Sequence, residues 1–187
     1  MDRRFLSRIA ALVGAVAMIA TVLTGAAAGT ASAAPSGWKP RGSWSCSGAP
    51  VPDGYVISGY DRNGCKGAGS WYQEPVKDGI WTCSGSPIVS GYVITNYNRS
   101  GCNGIGAWWH ALATERQWTC SGSPIPPGKV TTNFNRDGCQ GIGMWYQEPV
   151  RHGLWTCVGS PIPPGYRSTT YQWDGCGGAG AWWMVRA

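Results

Sequence analysis

The sequence is poor in the residues on which most catalysis depends. Histidine occurs twice, as His110 and His152, and only nine residues are acidic. No Gly-x-Ser-x-Gly elbow and no phosphate loop is present, and no two cysteines are spaced C-x-x-C. A nucleophile elbow, a nucleotide cradle and a clustered-thiolate metal site therefore have no signature here. No cofactor is expected. Charge is sparse too, at 13% of residues, and the basic side chains stand singly rather than in runs or stripes. That excludes the usual footprint of a nucleic-acid binder. Beyond Leu23 no apolar run is long enough to cross a bilayer, so no membrane insertion is expected once the leader is removed.

The N-terminus reads as an export signal. Arg3, Arg4 and Arg8 precede an apolar run from Ile9 to Leu23, and small residues ending Ala31-Ser32-Ala33 have the A-x-A form of a cleavage site. Residues 1–33 are thus assigned to a signal peptide, and the mature chain is expected to be secreted and extracellular. Loss of Arg3, Arg4, Arg8 and Asp2 takes the net charge from +6 to +4. Residues 34–43 read as a flexible segment ahead of the folded part.

What is abundant is repetition. Cys46, Cys83, Cys120 and Cys157 are spaced by 37, as are Cys65, Cys102, Cys139 and Cys176. The folded part, 44–187, divides into four units, 44–80, 81–117, 118–154 and 155–187. Units one and three share Trp-Tyr-Gln-Glu-Pro-Val (Trp71 to Val76, Trp145 to Val150), whereas units two and four carry Ala-Trp-Trp (Ala107 to Trp109, Ala181 to Trp183). This A-B-A-B alternation suggests a pseudo-twofold arrangement, either a closed ring or two two-unit lobes. Each unit contains a β-branched and aromatic stretch such as Tyr92 to Tyr97, proline–glycine turns such as Pro124 to Gly128, and an Asn/Asp/Ser-Gly pair before the second cysteine. The fold class is all-β, with about three short strands per unit and no helix after the signal peptide.

Eight cysteines in an exported chain imply four disulfides. The favoured pairing stays within units: Cys46–Cys65, Cys83–Cys102, Cys120–Cys139 and Cys157–Cys176. The alternative joins Cys65–Cys83, Cys102–Cys120 and Cys139–Cys157, leaving Cys46 and Cys176 to close a ring. Either way the bridges compensate for a unit too small to bury a sufficient core.

Ten of the 12 tryptophans hold repeat positions. Trp44, Trp81, Trp118 and Trp155, two residues before each first cysteine, are expected to pack over the disulfides as core. In the pairs Trp71-Tyr72, Trp108-Trp109, Trp145-Tyr146 and Trp182-Trp183, neighbouring residues on a strand point to opposite faces, so one ring of each is expected to be exposed. Asp61, Asn98, Asn135 and Gln172 lie close by. Rings beside amides and carboxylates suit a sugar, whose apolar face stacks while its hydroxyls are hydrogen-bonded. Glu74 and Glu148, equivalent in the repeat, are the one candidate carboxylate pair for glycoside chemistry. They read instead as solvated charges on loops, and the chain as no enzyme.

The run Cys-Ser-Gly-Ser-Pro-Ile-Pro-Pro-Gly, followed by a β stretch and Gly-Cys, resembles repeats of small, cysteine-rich secreted bacterial proteins over Trp44 to Trp183. The resemblance implies export and a repeat fold and carries no catalytic or binding residues across. The Q-x-W repeat of β-trefoil lectins is not matched. The leading expectation is a multivalent, lectin-like binder of a polysaccharide or glycan. The alternatives are a structural or adaptor subunit for an extracellular protein partner, and a protease inhibitor presenting rigid loops.

Overall fold

The computed structural model describes residues 41–187; the expected signal peptide and most of the segment 34–43 lie outside them. Each unit is one three-stranded antiparallel sheet. Unit one comprises β1 (Ser43–Cys46), β2 (Tyr55–Asp61) and β3 (Ser70–Pro75); unit two β4 (Ile80–Cys83), β5 (Tyr92–Asn98) and β6 (Ala107–Leu112). Unit three comprises β7 (Gln117–Cys120), β8 (Lys129–Asn135) and β9 (Met144–Pro149); unit four β10 (Leu154–Cys157), β11 (Tyr166–Gln172) and β12 (Ala181–Arg186). In every sheet the last strand lies in the middle, as in β1-β3-β2. The pairing of first and last strands is regular, whereas each second strand carries a bulge, between Ile57 and Gly59 in unit one and between Ile94 and Asn96 in unit two. The all-β repeat expected from the sequence is the fold observed.

The four disulfides join cysteines within units, each pair 19 residues apart, as favoured from the repeat. The second cysteine of each pair sits in a single tight turn, spanning Cys65–Gly67, Gly101–Gly104, Gly138–Gly141 and Gly175–Gly178. The sequence reading places a turn at the glycine before each second cysteine, but not the left-handed coil the turn takes, which is a conformation most L-residues avoid. Cys102 and Asn103 have φ of +50° and +55° and Gly104 of +89°, so the chain makes a short left-handed coil. Each non-glycine residue held there costs about 1–2 kcal/mol. The disulfide holds one end, and a backbone bond from the Gly106 amide to the Gly101 carbonyl (3.0 Å) closes the other.

Successive units pack second strand on first strand: β2 on β4, β5 on β7 and β8 on β10. The same hydrogen bond crosses each junction. The amides of Ile57, Ile94 and Thr131 donate to Ser86 Oγ (2.9 Å), Ser123 Oγ (3.0 Å) and Ser160 Oγ (2.9 Å) of the next unit. At the middle junction Ile94 forms a buried cluster with Cys120 and Cys139, flanked by Tyr97, Trp108 and Met144. The disulfide of unit three is thus also a packing element between units. Since the middle junction is built like the outer two, the row does not divide into two lobes. No packing of this kind joins β11 to β1 among the described residues, so the row is open rather than ringed.

The opening tryptophans are not core. Trp44 is 55% exposed and Trp81 37%, and Trp118 and Trp155 are half-buried. Strand register explains this: each stands directly opposite the second aromatic of the last strand, on the outward face. The buried side of the sheet belongs to residues such as Thr82, Thr119 and Thr156.

Candidate functional site

The aromatics sort into two sets by register. Trp44–Tyr72, Trp81–Trp109, Trp118–Tyr146 and Trp155–Trp183 are cross-strand pairs on one face, with ring centroids 5.4, 5.2, 5.3 and 5.1 Å apart. Tyr60–Trp71, Tyr97–Trp108, Phe134–Trp145 and Tyr171–Trp182 form the set on the opposite face, at 4.6, 4.4, 4.3 and 4.8 Å. The second set turns toward the junctions: Trp108 packs on the Ile94–Cys120–Cys139 cluster, and Trp182, in the one unit with no successor, is exposed. Tyr72, Trp109, Tyr146 and Trp183 therefore join the opening tryptophans on one face, each half-buried; of the eight rings in the adjacent pairs only Trp182, on the other face, is exposed, so one exposed ring per pair is not what the structure has. The ring of Trp109 rests against the backbone at Gly79, where a Cβ would stand 3.1 Å from Cζ2 and φ is +71°. Any side chain there would push the ring aside.

The polar residues singled out from sequence lie in the turns that end the second strands. Asp61 Oδ1 accepts the Asn63 amide (2.9 Å), Asn98 Oδ1 accepts the Ser100 amide and hydroxyl (3.1 and 2.9 Å), and Asn135 Oδ1 accepts the Asp137 amide (3.0 Å). These acceptors shape the turns. Gln172, exposed at the end of β11, occupies the same repeat position. Two amides not picked out from sequence stand closer to the outward rings. Exposed Asn96 is directly opposite Trp109, and exposed Asn133 directly opposite Tyr146. Trp81, Trp109 and Asn96 thus form one row across sheet two. The bulge sets this register, and a bulge has no mark in the sequence.

The carboxylates are not on loops. Glu74 lies on β3, bonded to Ser58 Oγ and 3.4 Å from Lys77. Glu148 lies on β9, 7% exposed, bonded to Thr132 Oγ1 (2.7 Å) and Arg151 and 3.9 Å from Arg116. Burial raises the Glu148 pKa, but the Arg151 and Thr132 hydrogen bonds and the two guanidinium charges outweigh it and hold the pKa below the ordinary carboxylate range. The solvated reading fails for Glu148, which is a buried ion-pair centre tying the last strand of unit three to flanking arginines.

His110 is 1% exposed on β6, and burial pushes its pKa down to about 4. It takes the position held by Gln73, Gln147 and Met184 in the other units, and its Nδ1 has no hydrogen-bond partner. No group of three or more His, Cys, Asp or Glu side chains able to hold a metal occurs among the described residues. Four disulfides fit an oxidising compartment, and no helix among the described residues is long and apolar enough to cross a membrane.

No protein-family model matches the chain, and neither a curated protein nor a solved structure matches it.

Proposed function

We propose that the protein is a secreted, multivalent, lectin-like module that holds a polysaccharide or glycan at a cell wall or cell surface and does not turn it over. The carrying observation is the outward cross-strand aromatic pair, repeated in all four units and flanked in units two and three by an exposed asparagine. Tilted rings present an apolar surface for the C–H face of a pyranose, and the neighbouring asparagine offers its Nδ2 donor to the hydroxyls, its Oδ1 already accepting the Tyr97 or Phe134 amide (2.8 Å). Each contact is weak, and four on one chain gain avidity by raising the effective concentration for the next. Replacing Trp109→Ala and Trp183→Ala together leaves the junctions untouched. The double variant is expected to keep its thermal transition and to bind insoluble wall polysaccharide at least about tenfold more weakly in a pull-down. Undiminished binding would remove the outward rings from the reading.

A second reading, an adaptor subunit for an extracellular protein partner, is favoured by the apolar side chains at unit four. Trp173 is 77% exposed, and Val158, Ile162, Tyr171 and Trp182 are exposed with it. Such a grouping suits protein contact. A stoichiometric partner that co-purifies with the wild type and is lost with Trp173→Ala supports it.

A further inference from the structure

Every disulfide but the first is covered by the unit before it. Cys83, Cys120 and Cys157 are at most 1% exposed, and each ends a first strand on which the preceding second strand packs. The turns that carry their partners also lean on the preceding unit. Asn103 Nδ2 donates to the Tyr60 carbonyl, and Gln140 Oε1 accepts the Arg99 amide (3.3 Å). At Gly177 a Cβ would stand 3.2 Å from the Phe134 carbonyl. Unit one has no predecessor. Cys65, like Cys102 and Cys176, is half-buried, but Cys46 is exposed where its three counterparts are covered. The residue after the second cysteine differs as well. It is Asn103, Gln140 or Gly177 in the later units and Lys66 in unit one, an exposed cation one residue from the sulfur.

A disulfide opens when a thiolate attacks one sulfur and expels the other. The rate depends on access to the attacked sulfur and on the stability of the thiolate that leaves, which a nearby cation improves. We propose that Cys46–Cys65 is a thiol-exchange site, at which a low-molecular-weight thiol becomes attached to Cys46. Its thiolate attacks Cys46 Sγ. The new S–S bond forms as the bond to Cys65 Sγ breaks, and Cys65 leaves with the electron pair as a thiolate, beside Lys66. The product is a mixed disulfide on Cys46 and a free thiol at Cys65, with no net oxidation or reduction. A second thiolate that takes the adduct off Cys46 releases the small-molecule disulfide and completes the two-electron reduction of the bridge. The other three bridges stay closed, so unit one alone loses its staple. The assignment is independent of the carbohydrate reading.

The test exposes the full oxidised protein to reduced glutathione for graded times, traps free thiols with N-ethylmaleimide and maps all eight cysteines by peptide mass spectrometry. Glutathione on Cys46 and maleimide on Cys65 are expected to appear at least about tenfold faster than modification of any other cysteine. The rate should stay flat in urea below the unfolding transition, because the attacked residue is already exposed in the folded chain. Lys66→Gln, which installs the residue of unit three at an exposed position, should slow this opening about threefold at low salt and leave the other bridges unaffected. Opening of all four bridges together, or of Cys157–Cys176 first, overturns the assignment. So does glutathione found on Cys65 rather than Cys46. A rate that climbs steeply with urea shows that unit one must unfold before attack, and overturns exchange on the folded surface. An unchanged rate in Lys66→Gln overturns the part given to the lysine.

Discussion

The inner strands of the row and the strands at its two ends share a repeat position but not a chemistry. Val56, Val93 and Val130 are fully buried in strands that have a following unit, and their counterpart in β11, Arg167, is exposed. Ile57, Ile94 and Thr131 give way to Ser168. At the opposite end the serine that reaches back across each junction, Ser86, Ser123 or Ser160, is replaced by Ala49, which has no preceding unit to reach. Cys83, Cys120 and Cys157 are buried, while Cys46 is exposed. Repeat arrays need polar terminal units to stay soluble, and a bare strand edge invites pairing with another chain. Here the difference lies in a few side chains: the end residues lack the groups with which the inner ones make a junction.

Exchanging inner and end residues tests this most severely. Val93→Arg places the end residue in an interior strand and buries an unpaired charge, so a loss of about 3–5 kcal/mol in denaturant unfolding is expected. The mirror change, Arg167→Val, should stay within about 0.5 kcal/mol. Equal effects would erase the distinction.

A smaller effect separates the central unit position by pH. Folded His110 stays neutral down to a pH of about 4, whereas the unfolded chain takes up that proton near 6.5. Between those values the unfolded state binds more protons, so stability falls as pH drops, by on the order of 3 kcal/mol at pH 4. The contribution is fully retained above pH 6.5. His110→Gln, the residue of units one and three, should flatten that slope in thermal melts across the window. A slope unchanged by the substitution would show that His110 does not carry it.

The smallest contrast is at the junction hydroxyls. Ser123→Ala leaves the Ile94 amide without its partner and should cost about 1–3 kcal/mol. Ala49→Ser, the reverse change where no unit precedes, should be neutral in the same unfolding assay.

Much of this architecture is legible in the sequence. Eight cysteines in strict phase give the unit and its boundaries and reduce the disulfide patterns to two periodic ones, of which the structure has the pairing within units. Composition gives strands and turns. What stays hidden is whatever depends on pairing across strands. Trp44 and Cys46 alternate correctly on one face, yet nothing local says that β3 lies between β1 and β2 and puts Tyr72 beside Trp44. The bulge after Ile94 brings Asn96, not Asn98, opposite Trp109. The left-handed turn is hidden because the residues that form it, Cys65-Lys66 and Cys139-Gln140 as well as Cys102-Asn103, share no common preference for it. Glu148 reads as a surface charge until Arg116, Arg151 and Thr132 converge on it.

The pairing of each cysteine with the next one along the chain has a consequence for timing. A chain that emerges N-terminus first at about 5–20 residues per second delivers one unit every few seconds. Each second cysteine arrives only 19 residues behind its partner. If oxidation keeps pace, no more than one thiol is ever waiting, and the partner that reaches it first is the native one. Of the 105 ways to join eight cysteines, order of arrival then selects one, with each finished unit offering the surface on which the next is laid.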